Sequence, residues 1–511
     1  MTHERARGRW DALQYAAIAL LTAMVLVQLV HSWRGAAGEP RDASLTRDFK
    51  AFYCAGAVVN AGEDPYRNAP LQRCGSRTGA VPAFAQTGVW PAPLPGYDLA
   101  LFRAFALLPY RTAAIAFLAL SVAAAFVTIV LVARMSAAPP IVVFAAVAPV
   151  LVFGCLEWGQ LPPLLACALA VAAYAARARR DTVAALACVL AMIEPHVGLP
   201  VCVAAFLWLP RYRFAIAAGM VVLAVLSVAT IGIADNLEYA RSVLPLHARA
   251  EAPAVNQFSL TWIAHVLGAP DGLATLLGSV DYAAMTVLAV VLAGRIARSN
   301  DAPEAVALVP PPVVLLGGTF VHATQIAVTI ACGLVLASIV ARARGLIWLG
   351  VVLVTPIWYD GAWTRLVSAS RIECAVAVGI VAYAAFRALR ANAAVPRAAL
   401  AAAAYLVVAV ALPRVPPTIV RASPDVAAYA RANQADAALA PVAWGEWIRA
   451  TPAASTATLP PTAGKVPLWL GLLAMIGGIA ANARRGLVTS PAYQRPQKPN
   501  RKPTWTGGPG A

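Results

Sequence analysis

FAIAAGMVVLAVLSVATIGI, residues 214–233, is an uncharged apolar run of 20 residues with Arg211 and Arg213 just before it. Wound as a helix at about 1.5 Å per residue, a run of this length covers the roughly 30 Å hydrocarbon core of a bilayer. Lipid offers no hydrogen-bond partner, so the backbone amides must pair within the segment, and that selects a helix. A barrel strand would instead be about ten residues long with alternating polarity.

Comparable blocks lie on both sides of it, at 12–33, 111–133, 140–156, 161–176, 279–297, 304–318, 322–340, 345–358, 372–389, 398–412 and 466–482. The stretch 182–209 is long for one span and is interrupted by Glu194-Pro195-His196, so it reads as two short helices meeting at a break. The result is an all-α, polytopic membrane protein of about 14 transmembrane helices. The basic opening RARGRWD and the apolar run after it resemble a signal peptide, but the run is long and many spans follow, so it reads as an uncleaved first helix.

Composition agrees. The 511 residues are 60% hydrophobic and 12% charged, where soluble domains carry about a quarter charged. The net charge of +17 sits largely in arginines of short loops, the positive-inside pattern of chains facing an anionic cytoplasmic leaflet. No stacking-aromatic or recognition-helix pattern accompanies it, which excludes nucleic acid as the partner. Placing these loops inside puts both termini in the cytoplasm. It also leaves two long segments outside, a first loop at 34–110 and a later one at 413–465. Residues 1–483 form one membrane domain, and 484–511 a basic tail with a disordered composition. Six of the eight cysteines fall in apolar blocks. Cys54 and Cys74 fall in the first loop, where a disulfide is chemically allowed. Spacing leaves their pairing open, and two free thiols is the simpler reading. No Cys/His array suggests a metal.

Polar and ionisable groups inside a membrane domain are costly and tend to pair or act. In this topology they gather at the outer side: Asp48, Asp64, Asp98, Glu157, Gln160, Glu194, His196, His247, Asn256, His322, Gln325, Asp360, Arg365 and Arg371. The most specific string is DFKAFYCAGAVVNAGEDPY, residues 48–66. Phe49, Phe52, Tyr53 and Ala57 share one helical face, which suits an interfacial helix. By itself Asp48 reads as a helix N-cap and Asp64 as an Asx-turn former.

This string resembles the first loop of glycosyltransferase family 87, polytopic enzymes of the GT-C fold related to polyprenyl-phosphomannose-dependent α-mannosyltransferases. LALFRAFALLP (99–109), EWGQLPPLL (157–165), AMIEPHVGLP (191–200), NQFSL (256–260) and TFVHATQI (319–326) follow in the family's order, and the resemblance spans about residues 12–390. Two departures stand out. Glu194 occupies a position where the family commonly has Lys, and PAPLPGYD replaces its Tyr-Pro-Pro.

The resemblance implies a hexosyltransferase, mannose foremost, working at the outer face of the cell membrane. It would take sugar from a polyprenyl-phosphate donor to a lipid or glycan acceptor. Such chemistry needs a carboxylate to accept the acceptor's hydroxyl proton, donors to hold the leaving phosphate, and an apolar groove for the polyprenyl chain. Asp48 is the candidate base, and direct attack would invert the anomeric centre without a metal or other cofactor. Arg365 and Arg371 are candidates for the phosphate, unless they snorkel to the interface. His322 is a candidate for phosphate or sugar. His196, Gln160 and Asn256 either touch sugar or satisfy the broken helices, and Tyr53 either stacks on sugar or is an interfacial aromatic. The rival reading is a lipid or sugar transporter or flippase, which predicts polar residues along a path across the membrane.

Overall fold

The computed structural model describes residues 47–78, 91–148, 151, 159–254, 257–340, 343–354, 439–450 and 459–485. The expected spans at 12–33, 372–389 and 398–412 lie outside these residues, as do Glu157, Asn256, Asp360, Arg365 and Arg371. The structure is mostly helical (81%), and the described residues contain no strand, only two isolated bridges.

In chain order the helices are α1 (Arg47–Asn60), α2 (Asn68–Arg77), α3 (Gly96–Phe105), α4 (Tyr110–Met135), α5 (Pro140–Ala148), α6 (Pro162–Arg177) and α7 (Asp181–Leu190). Then come α8 (Pro195–Trp208), α9 (Arg213–Glu238), α10 (Leu244–Glu251), α11 (Leu260–Val266), α12 (Asp271–Ser299), α13 (Ala305–Leu308) and α14 (Pro310–Val314). The last are α15 (Ala323–Ile326), α16 (Val328–Ile339), α17 (Arg344–Val354), α18 (Ala440–Ala450) and α19 (Leu459–Arg485). Among the described residues, three helical runs are long and apolar enough to cross a membrane: Tyr110–Met135, Pro210–Glu251 and Asp271–Ser299. Shorter apolar helices, Pro162–Arg177 and Thr324–Ile339 among them, accompany these. On α9, Phe214, Val221, Val222 and Val225 are exposed, as expected for a lipid-facing stripe.

The helix break falls where Pro195 requires it. A 3-10 turn, Ala191–Ile193, closes α7, and Pro195 opens α8 at a position where a missing N–H costs nothing. Gly198 lets α8 close on this turn, since a Cβ there would sit 2.3 Å from the Ala191 carbonyl oxygen.

The span expected at 214–233 ends where expected: Gly232 (φ 76°, ψ 173°) is non-helical and breaks α9, and a second helical stretch, with a π turn at Tyr239–Val243, runs on to Glu251. Asn236 repairs the break. Its amide donates to the carbonyls of Gly232 (2.6 Å) and Ser227 (3.1 Å) and accepts from the Ser227 hydroxyl (2.6 Å). A local side chain thus satisfies backbone groups that lipid could not.

The basic helix ends come together at one end of the bundle. Arg177 Nη1 donates to the Met135 carbonyl (2.9 Å), Arg179 pairs with Asp301 (3.0 Å), and Asn300 donates to the Ile339 carbonyl (2.9 Å). Asn482 of α19 donates to Asn300 Oδ1 (3.2 Å). The opposite ends of these helices carry Gln160, Glu194, His322 and Lys465.

The first loop packs as a unit over that opposite end. Phe49 is fully buried and stacks on Phe117 of α4, with ring centroids 4.6 Å apart. Gly56 admits the backbone of α3, since a Cβ there would lie 2.4 Å from the Phe102 carbonyl. Asp64 does form the expected turn, accepting from the Tyr66 N–H at 2.8 Å. Arg67 then bridges Asp64 (2.7 Å) to Glu238 at the end of α9 (2.6 Å).

The free-thiol reading of Cys54 and Cys74 is corrected: the two form a disulfide with Cα atoms 5.5 Å apart, joining α1 to α2. Spacing could not show this, because the turn at 61–67 is what folds α2 back onto α1. Replacing both by Ser is expected to lower stability by about 3 kcal/mol for a loop of this length, read as a lower unfolding temperature in detergent. A wild-type protein insensitive to reductant would contradict it.

Candidate functional site

Asp48 lies in the first turn of α1, and Gln160 Nε2 donates to its Oδ2 at 2.6 Å. Gly159, with φ 68°, turns the chain just before Pro162 opens α6, and this aims Gln160 across at the first loop. Gln160 Oε1 is buried and has no partner among the described residues. Tyr53, one turn along α1, goes elsewhere. Its ring meets Phe49 and Tyr110 in the aromatic core, and its hydroxyl donates to the Leu108 carbonyl (2.9 Å).

A second polar group runs from the helix break to α19. Glu194 Oε2 lies 3.5 Å from His196 Nδ1 and accepts from Gln325 Nε2 at 3.2 Å. Gln325 Oε1 accepts from the His322 N–H at 2.9 Å. Gln257, which is fully buried, is the hub. Its Nε2 donates to Glu251 (2.9 Å) and lies 3.3 Å from His322 Nε2, and its Oε1 accepts from the Val321 N–H (2.7 Å). Its backbone carbonyl accepts from Lys465, while the Trp444 indole donates to Glu251. Lys465 is 3% exposed, with its ammonium 3.3 Å from the centroid of the Trp262 ring.

Three of the chain's six histidines, His196, His247 and His322, surround Phe320 at centroid distances of 6.4, 5.2 and 6.5 Å. His196 Nε2 and His247 Nδ1 are buried with no partner among the described residues. Orphaned buried nitrogens are unusual, since most such groups are paired. Here they converge on one place and suit a polar ligand.

Asp98 connects the first loop to this group. Gly96 lets α3 meet α9 closely, since a Cβ there would stand 2.6 Å from Ser227 Oγ. Asp98 is thereby 4% exposed, with Oδ2 unpartnered among the described residues. Burial first, and the Glu194 charge second, push its carboxyl well above the usual carboxylate range. As pH rises from about 4, the unfolded chain ionises Asp98 while the folded chain holds it neutral, so stability falls until the raised folded value is passed. Asp98→Asn should therefore gain stability relative to wild type as pH goes from about 4 to about 8, by thermal unfolding. A constant difference across that range would contradict it.

The structure thus draws Asp48 to Gln160, and His196 and His322 into the second group. Asn256, Arg365 and Arg371 fall outside the described residues. Sequence reasoning passes over Glu251, Gln257, Trp444 and Lys465. Only Lys465 carries a signal, a lone amine at the start of an apolar run. A cavity of about 310 Å³ opens at the opposite, basic end, lined by Arg177, Arg179, Asp301 and Glu304. Its arginines face those carboxylates, and the orphaned groups of the second cluster are not there.

The family model described as Glycosyltransferase family 87 matches residues 95–316. No curated protein and no solved structure matches the chain. The matched segment holds Asp98, Gln160, Glu194, His196, Glu251 and Gln257; Asp48, His322 and Lys465 lie beyond it.

Proposed function

We propose, from a chain that belongs over residues 95–316 to glycosyltransferase family 87, that this membrane glycosyltransferase uses a polyprenyl-phosphate-linked hexose, mannose foremost. The acceptor is a lipid or glycan at the extracytoplasmic face of the cell membrane. The observation that carries this reading is the gathering of a carboxylate, Asp48 on Gln160, and an imidazole–ammonium group at one end of the bundle. The basic helix ends lie at the other. That polarity, with the Cys54–Cys74 disulfide of an oxidising compartment, supports an outward-facing site. A transporter would spread its polar groups along the helices.

In the reaction the Asp48 carboxylate accepts the proton of the acceptor hydroxyl as its oxygen attacks C1 of the sugar. The C1–O bond to phosphate breaks, and its electron pair leaves with the polyprenyl phosphate. A single displacement inverts C1, so a β-linked donor gives an α-linked product. Donors placed where negative charge grows on the phosphate are worth most in a dry site, and nitrogens of the second group are candidates. No step calls for a metal, and transfer is expected to survive chelation.

The test is purified full-length protein in lipid, with radiolabelled polyprenyl-phosphate sugars and a membrane-lipid extract. Label transfer in the presence of chelator supports the reading. No transfer from any polyprenyl-phosphate sugar, with transfer from a nucleotide sugar, would overturn it.

A further inference from the structure

Lys465 is one of only four lysines in a chain of 40 basic residues. It is delivered by α19, far in sequence from the family-matched segment, and it is buried. Its ammonium donates to the Gln257 carbonyl, and its faces meet the Trp262 and Phe258 rings. Among the described residues no carboxylate lies within ion-pair distance of it. An ammonium has three donors, so this one has donating capacity left over.

Burying a charge without an opposite charge is costly, and a methionine of similar length would pack against the same rings without that cost. Neither nearby carboxylate pairs with it. Glu251 is taken by Gln257 and Trp444, and Glu194 by Gln325 and His196. Lys465 and His322 are close enough for their charges to interact, and His322 is in the same relation to His196 and His247. An anion seated beside Lys465 would complete its donors and lie close to His322.

Resting on the polyprenyl-phosphate reading, we infer that Lys465 is the cation that binds the donor's phosphate, brought by α19 to a site whose helix break carries the acidic Glu194. Lys465 then grips the phosphate through charge-assisted hydrogen bonds, and the aromatic rings hold the ammonium in place.

The experiment measures binding of two probes, a polyprenyl phosphate and the polyprenol of equal length, to full-length protein in nanodiscs. Wild type is expected to prefer the phosphate by about tenfold or more, the scale of a hydrogen bond to a charged group. Lys465→Met should bind both alike, and Lys465→Arg should keep part of the preference. A Lys465→Met protein that discriminates like wild type overturns the inference and leaves the donor reading standing. A wild type that does not discriminate overturns both. If Lys465→Met fails to fold, reductive methylation of wild type with mass spectrometry decides. Polyprenyl phosphate, and not polyprenol, should protect Lys465, and equal labelling rates would overturn the assignment.

Discussion

Asp48→Asn is expected to slow sugar transfer by about 10²- to 10⁴-fold, the range for removing a general base, with the unfolding temperature nearly unchanged. Asparagine keeps the shape and an oxygen for the 2.6 Å hydrogen bond from Gln160, so the first loop stays docked. It loses basicity, and the acceptor's proton then has nowhere to go. The rival role for Asp48, a helix-terminal carboxylate, is worth about 0.3–1 kcal/mol, and asparagine caps nearly as well. The two roles therefore separate in one measurement. Full transfer activity from a folded, membrane-inserted Asp48→Asn protein would remove Asp48 from the chemistry. Loss of activity together with loss of folding would point to packing, and Gln160→Leu, which leaves the carboxylate in place, then reports whether docking alone carries the effect.

The all-α class is legible because it follows from local rules. A charge-free run such as 214–233 needs only its length to be read as membrane helix. Pro195 opens α8 at a position where its missing N–H costs nothing. Asp64 closes an Asx turn through an atom two residues away. What the sequence hides is contact across long separations. Lys465 meets Gln257 across 208 residues, and Trp444 meets Glu251 across 193. No periodicity encodes either pair. The end of 214–233 is local by contrast: Gly232 leaves helical φ/ψ there, and Asn236 hydrogen-bonds back to the Ser227 and Gly232 carbonyls across the break.

The same limit applies to residue choice. Tyr53 and its neighbours read as one interfacial face, which is sound as periodicity. The structure commits that face to the core, with Phe49 stacked on Phe117 and the Tyr53 hydroxyl on a backbone carbonyl. Asn256 stands out in the sequence as an outer-loop amide, whereas the described contacts belong to the next residue, Gln257. The Gln257–His322 bridge joins residues 65 apart, which no local pattern around Gln257 foretells.

Gln257→Leu is expected to destabilise the protein by about 3 kcal/mol, the scale of leaving buried polar groups without their hydrogen bonds, and to abolish transfer with it. The substitution takes a donor from Glu251, an acceptor from the Val321 N–H and a neighbour from His322, all inside a site that excludes water. Stability and chemistry are separated by exchanging the two side chains. Gln257→Glu alone sets a second carboxylate against Glu251 and should also destabilise. Paired with Glu251→Gln, the amide and carboxylate meet again with their positions reversed. The carboxylate now at position 257 still accepts from the Val321 N–H, and the amide now at position 251 still accepts from the Trp444 indole. Most of the lost unfolding free energy should therefore return. The exchanged charge then sits nearer Lys465 and His322, where it competes with an incoming phosphate. The double variant should be stable yet weak in donor binding. Strict additivity of the two single effects in denaturant unfolding would show that Glu251 and Gln257 do not act as a unit. The hydrogen-bond chain from Glu194 to Lys465 would then be packing, with no hold on the site.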